Sequence, residues 1–143
     1  MGAAEVHVLF VSERAGFAGG IERFMFNTAG LLRRSGMKVS GCFERPDRDA
    51  ERFALNFNRL YDMRELPDAD IAVVHRATSP EVLERLLARY GDRLAAYVHD
   101  HDYYCPRTYR YTPFGRKDCV RAYSLVRCGA CAMATSPRRW RNG

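Results

Sequence analysis

Residues 5–36, EVHVLFVSERAGFAGGIERFMFNTAGLLRRSG, decide how this chain folds. Residues 5–11 form a short apolar run rich in β-branched side chains, as expected of a strand buried in a parallel sheet. Polar residues and glycines follow at once, from Ser12 to Gly20. From Ile21 the positions Ile21, Phe24, Met25, Thr28, Leu31 and Leu32 recur at three- and four-residue spacing, the period of a helix with one apolar face. Gly36 then stands where a helix C-cap is expected. The stretch therefore predicts a strand, a glycine-rich loop and a helix in direct succession.

The same unit repeats in weaker form along the chain. Residues 37–43 (MKVSGCF) predict a second strand, residues 45–49 a polar break, and residues 50–60 a loosely periodic helix. Residues 71–75 predict a third strand ending in His75. Ser79 and Pro80 supply an N-cap and a first helical residue, Val82, Leu83, Leu86, Leu87 and Tyr90 an apolar face, and Gly91 a stop. Residues 93–98 predict a fourth strand that opens into His99-Asp-His-Asp102. Strands alternating with helices imply an α/β fold: a Rossmann-like parallel sheet flanked by helices, with right-handed crossovers. Beyond Cys105 the periodicity fails, because Pro106, Pro113, Gly115, Gly129 and Pro137 fragment the segment. An irregular cysteine-rich C-terminal segment is expected there, with no helix longer than about two turns.

A length of 143 residues fits one domain spanning 1–143, with residues 105–131 as a lobe within it. No run approaches the roughly 18 apolar residues of a membrane span, and the N-terminus lacks the basic start of a signal peptide. A cytoplasmic protein is expected, in which thiols stay reduced and a cysteine cluster favours metal over disulfides. Charge is uneven. Residues 105–143 carry a net +8, while residues 1–104 carry −2. Such a basic, aromatic-rich tail suits a phosphate-bearing substrate, an anionic membrane surface or nucleic acid, or is simply a solvated surface.

Three features carry chemistry. Gly16, Gly19 and Gly20 between strand and helix let backbone N–H groups approach a phosphate or sugar, although the spacing is neither the dinucleotide fingerprint nor the P-loop, and taken alone the loop reads first as a plain tight turn. Glu22 reads as a capping acid in the first helical turn. His99, at a strand end beside Asp100, is of a type that exchanges a proton or hydrogen bond with a substrate near neutral pH, or else is a histidine satisfied locally. His101 is a further candidate ligand for a metal. In a parallel sheet the end of the third strand at His75, the glycine loop and His99 all belong to one edge. Cys105, Cys119, Cys128 and Cys131, the last two as Cys-Gly-Ala-Cys, are candidate thiolate ligands of a structural zinc, with ordinary reduced thiols as the alternative. Cys42 reads as a small core residue.

Taken together, Gly19-Gly20-Ile-Glu22-Arg23, the strand Asp70-Ile-Ala-Val-Val-His75, and His99-Asp-His-Asp-Tyr-Tyr-Cys-Pro-Arg107 with its downstream cysteines resemble the N-terminal domain of family-four retaining glycosyltransferases of the GT-B fold. The resemblance implies a domain that handles the acceptor, a saccharide or lipid-linked saccharide, while its glycine loop approaches the diphosphate of a nucleotide-sugar donor. It places Gly19 and Gly20 at that diphosphate and His99, as the catalytic candidate, against the transferred sugar. Glu22, Asp100 and Arg107 join them as substrate-binding candidates. It also implies a second Rossmann-like domain that binds the nucleotide sugar and has no counterpart in these 143 residues, so a single chain is expected to be inactive alone. Envelope polysaccharide synthesis at the inner face of a membrane is the implied setting. A zinc-stabilised binding module, its basic tail docked on nucleic acid or an acidic partner, is the alternative from another class.

Overall fold

The computed structural model describes residues 5–77, 79–99, 105, 118–120 and 122–135. The chain divides into two compact units, residues 1–97 and 98–143. The first unit holds β1 (His7–Ala15), α1 (Gly20–Arg34), β2 (Lys38–Pro46), α2 (Ala50–Ala54), β3 (Arg59–Asp62), β4 (Ile71–Val74), α3 (Pro80–Tyr90), a 3-10 turn at Gly91–Arg93, and β5 (Leu94–Ala96). The strands form one sheet in the order β3-β2-β1-β4-β5, every neighbouring pair parallel. This is a Rossmann-like α/β sheet.

Alternation along β1 explains how both faces are covered. Val8 and Phe10 enter a cluster with Met25 and Ala29 of α1, Val39 and Phe43 of β2, and Phe53 and Phe57. Leu9 and Val11 point the other way, into a cluster with Cys42, Ala72, Val74, and Leu86 and Tyr90 of α3. Successive side chains on a strand must leave opposite faces, so a run that is apolar throughout has to be sandwiched. The helix ends follow local chemistry. The Gly36 N–H bonds to the Arg33 carbonyl at 3.0 Å and the Met37 N–H to the Leu32 carbonyl at 3.1 Å, with Gly36 at φ 84°, a Schellman stop on α1. Ser79 Oγ accepts from the Val82 N–H at the start of α3, and Gly91 ends that helix at φ 51°.

The first unit departs from the sequence reading in four places. The predicted helix over 50–60 is a five-residue α2 followed by the edge strand β3. Two asparagines explain the break. The Asn56 amide donates to the Phe26 carbonyl at 2.8 Å, and Asn58 Oδ1 accepts from the Val39 N–H at 2.8 Å. Side chains that bond other elements' backbone compete with a continuing helix. β1 and β2 each run three or four residues beyond the predicted apolar runs, pairing Arg14 with Arg45 and Ala15 with Pro46. The fourth predicted strand, 93–98, is the shorter β5. On α1 the buried positions are Glu22, Met25, Ala29 and Gly30, whereas Leu31, expected on the apolar face, is 58% exposed.

In the second unit the described residues include α4 (Leu125–Thr135), an 11-residue helix where none longer than about two turns was expected. Ser124 caps it: its Oγ accepts from the Arg127 N–H at 3.5 Å. Gly129, taken as a breaker, lies inside the helix, since one glycine costs only about 1 kcal/mol relative to alanine. Among the described residues no helix is long and apolar enough to cross a membrane.

Candidate functional site

Parallel α/β sheets bind ligands beyond the carboxyl ends of their strands, in the crevice where strand order reverses. Here β1 is joined through α1 to β2 on one side and pairs with β4 on the other, which puts the reversal between β1 and β4. Beside the reversal, the segments that leave this edge are residues 16–19 after β1, His75 and Arg76 after β4, and Tyr97 after β5, with the loop after β2 next to the first of them.

The loop after β1 is stitched to the loop after β2. The Asp47 N–H donates to the Ala15 carbonyl at 2.8 Å, and the Phe17 N–H to the Arg48 carbonyl at 3.0 Å. Gly16 is the glycine this contact requires, because a Cβ on it would lie 2.5 Å from the Arg48 carbonyl oxygen. Gly19 and Gly20 differ. Both are exposed; a Cβ on Gly20 would meet nothing within 4 Å, and one on Gly19 only Glu22 Oε2 at 3.4 Å. Packing does not demand glycine at either position. What they leave open is access to the amides at the start of α1, where no N-cap side chain intervenes. Glu22, predicted as a first-turn acid, is buried and turns its carboxylate back toward Gly19. That carboxylate is the charge any anion at this helix end would meet first.

His75 does not face open solvent. It is 3% exposed, and its backbone N–H bonds to the Val11 carbonyl at 2.8 Å. Its ring stands edge-on to Phe10, with centroids 4.8 Å apart, and is stacked on Tyr97 at 5.5 Å. Tyr97 in turn lies 4.7 Å from Phe24 of α1. The imidazole is thus part of an aromatic wall that seals the core under the edge, with half-exposed Tyr97 as its outer leaf. Beside this row the buried Ser12 hydroxyl has no hydrogen-bond partner among the described residues.

Sequence reasoning missed an ionic cluster at the same edge. Glu13 is 8% exposed, and its carboxylate accepts from Arg14 Nε at 3.2 Å and from Arg45 of β2, with Arg76 Nε 3.7 Å away after β4. Arg14 also bonds Asp47 at 3.1 Å. Burial alone would raise the Glu13 carboxyl, but the hydrogen bonds and charges of Arg14 and Arg45 outweigh it and hold it below its ordinary value. β1, β2 and the segment after β4 therefore contribute one arginine each around a single carboxylate. The signal lay in Ser12-Glu-Arg, which reads as loop because a polar strand extension has no periodicity of its own.

The remaining predicted residues belong to the second unit. His99 is half-buried. Asp100, His101 and Arg107 lie outside the described residues. Cys105, Cys119, Cys128 and Cys131 are half-buried, and none is in a disulfide. Cys128 and Cys131 fall on one side of α4 rather than on a loop knuckle, and Cys128 Sγ accepts from the Ser124 N–H at 3.5 Å. Among the described residues no three His, Cys, Asp or Glu side chains gather in a way that could hold a metal. Cys42 is a core residue, as expected; burial, with Asp62 nearby, pushes its thiol up to about 12.

Compared with known proteins, the chain matches no protein-family model, no curated protein and no solved structure.

Proposed function

We propose that the chain is the acceptor-binding half of a nucleotide-sugar-dependent glycosyltransferase. It moves a hexosyl group to a saccharide or lipid-linked saccharide with retention at the anomeric carbon. One observation carries the reading: the open Gly19-Gly20 loop joins β1 to α1 at the carboxyl edge of a five-stranded parallel sheet, beside the point where strand order reverses. That supports an edge built for backbone contact with a ligand, and the family resemblance of residues 19–23, 70–75 and 99–107 supplies the chemical class.

In this scheme the bond between the anomeric carbon and the diphosphate oxygen breaks as the acceptor hydroxyl attaches on the same face, and the hydroxyl proton leaves with the diphosphate. Charge grows on the leaving oxygen, so N–H groups aimed at it lower the barrier. Gly19 and Gly20 have that role. His99 faces the transferred sugar, and Glu22, Asp100 and Arg107 bind substrate. The donor's nucleotide is held mainly by a second domain, contributed from further chain or a partner. The basic residues of 105–143 favour a cytoplasmic, anionic membrane surface where lipid-linked acceptors are met.

The test is binding and turnover of nucleotide sugars by the protein as its gene encodes it, with a lipid extract as acceptor source. Saturable binding of at least one donor and transfer to a lipid or saccharide are expected. Absence of both across uridine-, guanosine- and thymidine-diphosphate sugars contradicts the assignment.

A further inference from the structure

A cavity of about 280 Å³ opens beside the stitched loops, lined by Phe17, Arg23, Phe26, Asn27, Asp49 and Arg52. Its floor is rigid. The Phe17 ring is wedged edge-on against Phe26 at 5.1 Å and Phe53 at 5.5 Å, and the Phe17 N–H is tied to the Arg48 carbonyl. Two guanidinium groups lie over that ring, Arg23 from the first turn of α1 at 6.0 Å and Arg52 from α2 at 5.7 Å. A guanidinium within about 6 Å of an aromatic face is attracted to it, weakly at an exposed site, which biases both side chains toward the cavity.

Like Arg33, Arg34, Arg48, Arg59 and Arg85, these two arginines have no carboxylate partner among the described residues, and what distinguishes them is that both stand over one ring. Arg14, Arg45, Arg64, Arg76, Arg89 and Arg93 each reach a carboxylate within 4 Å. Arg23 and Arg52 instead converge on one cavity. Asp49 adds a second, independent sign. It occupies the N-cap position of α2, where aspartate is among the best capping residues, yet its side chain caps nothing and lines the cavity instead. It does so from a left-handed backbone, φ 57°, which aspartate adopts more readily than most residues with a Cβ. Asn27 completes the lining with a carboxamide that both donates and accepts.

We propose that this cavity binds a monosaccharide-sized molecule that carries one phosphate or carboxylate group. The anionic group lies between Arg23 and Arg52, its ring or chain rests on Phe17, and its hydroxyls bond Asn27 and Asp49. Two guanidiniums against one carboxylate leave a net positive charge, which selects an anion, and the carboxylate accepts from hydroxyls rather than from a second anion. The volume of about 280 Å³ lies just below the range of about 300–1,000 Å³ for small-molecule pockets, which suits a single sugar ring and excludes a dinucleotide. The inference is independent of sugar transfer, since it concerns binding to the first unit alone.

Full-length chain labelled with nitrogen-15 is titrated in turn with glucose 6-phosphate, glucuronate, inorganic phosphate and glucose, following backbone amides. Saturable shifts at Phe17, Arg23, Asn27 and Arg52 are expected with glucose 6-phosphate or glucuronate, and whichever binds more tightly names the anionic group. Inorganic phosphate should bind at least tenfold more weakly than the tighter of the two, and glucose weakest. Arg23→Gln and Arg52→Gln, both exposed and so harmless to folding, should each weaken binding about tenfold. Asp49→Asn, which tolerates the same backbone, should narrow the preference over inorganic phosphate. No saturable shift with either anionic sugar, glucose binding as tightly as they do, or unchanged affinity in the Arg23→Gln/Arg52→Gln double variant would overturn the proposal. Nucleotide-sugar turnover in the same preparations reports separately on the transferase reading.

Discussion

Replacing Glu13 by glutamine removes one charge from the carboxyl edge and nothing from its shape. The carboxylate is 8% exposed and contacts Arg14 and Arg45 directly, with Arg76 at 3.7 Å. Breaking a fully buried pair costs about 3–5 kcal/mol, whereas exposed pairs are worth about 0–1 kcal/mol. Glu13 lies between these limits, because it is buried while its partners' side chains are 39–58% exposed. Glutamine keeps one acceptor oxygen, so the expected loss near pH 7 is about 1–3 kcal/mol, which lowers the urea midpoint by roughly 1 M. The pH dependence separates charge from packing. The Glu13 carboxyl is held below its ordinary value of 4.5, so its contribution is complete above that value and is lost as pH falls through the folded-state value. The gap between native chain and Glu13→Gln should therefore be full at pH 7 and shrink steadily below about pH 4.5. Urea melts at both pH values, followed by far-ultraviolet circular dichroism, measure it. An equal gap at both pH values, or none at pH 7, would refute the ionic account of why β1 and β2 extend past their apolar runs.

Other perturbations probe the packing that carries the site. Phe53 is fully buried among Phe17, Phe26, Phe43 and Phe57, so Phe53→Ala should cost about 3–5 kcal/mol and detach α2; a loss under about 1 kcal/mol in denaturant melts would contradict that packing. Gly16→Ala drives a methyl against the Arg48 carbonyl and should destabilise by about 1–3 kcal/mol, while Gly20→Ala, with open space around it, should stay within about 0.5 kcal/mol of native stability; similar thermal shifts for both would count against the distinction. The Cys42 thiol, pushed up to about 12, should resist alkylation at pH 8 in the folded chain and react only after denaturation, and labelling as fast as Cys105 would argue against its burial.

The parallel sheet was legible because β1 and β4 are written in continuous apolar, β-branched runs, and because Ser79-Pro80 and Gly91 mark both ends of α3 in local chemistry. β3 was not. Arg59-Leu-Tyr-Asp is an edge strand with charged ends, held by pairing to Ser40, Gly41, Cys42 and Phe43 rather than by any pattern of its own. The extension of β1 through Ser12-Glu-Arg-Ala15 likewise depends on arginines from other strands. The open Gly19-Gly20 loop could be found from spacing, whereas the Phe17 cavity could not: it joins the start of α1 to that of α2, and only tertiary contact brings Arg23 and Arg52 over one ring. His75 looked like a site residue by its place at a strand end, yet it closes the core, because an imidazole edge-on to Phe10 and stacked on Tyr97 packs as an aromatic.

The central claim, that this edge serves retaining glycosyl transfer, is met most directly by comparing the native protein with His99→Ala in a transfer assay. The protein as its gene encodes it receives a panel of nucleotide sugars and a lipid-linked acceptor fraction, and the anomeric configuration of the product is read by NMR. Transfer with the donor's configuration retained, reduced at least about 100-fold by His99→Ala while donor binding persists, is the predicted result. Unchanged transfer in His99→Ala, an inverted product, or no donor consumed by the native protein would contradict it.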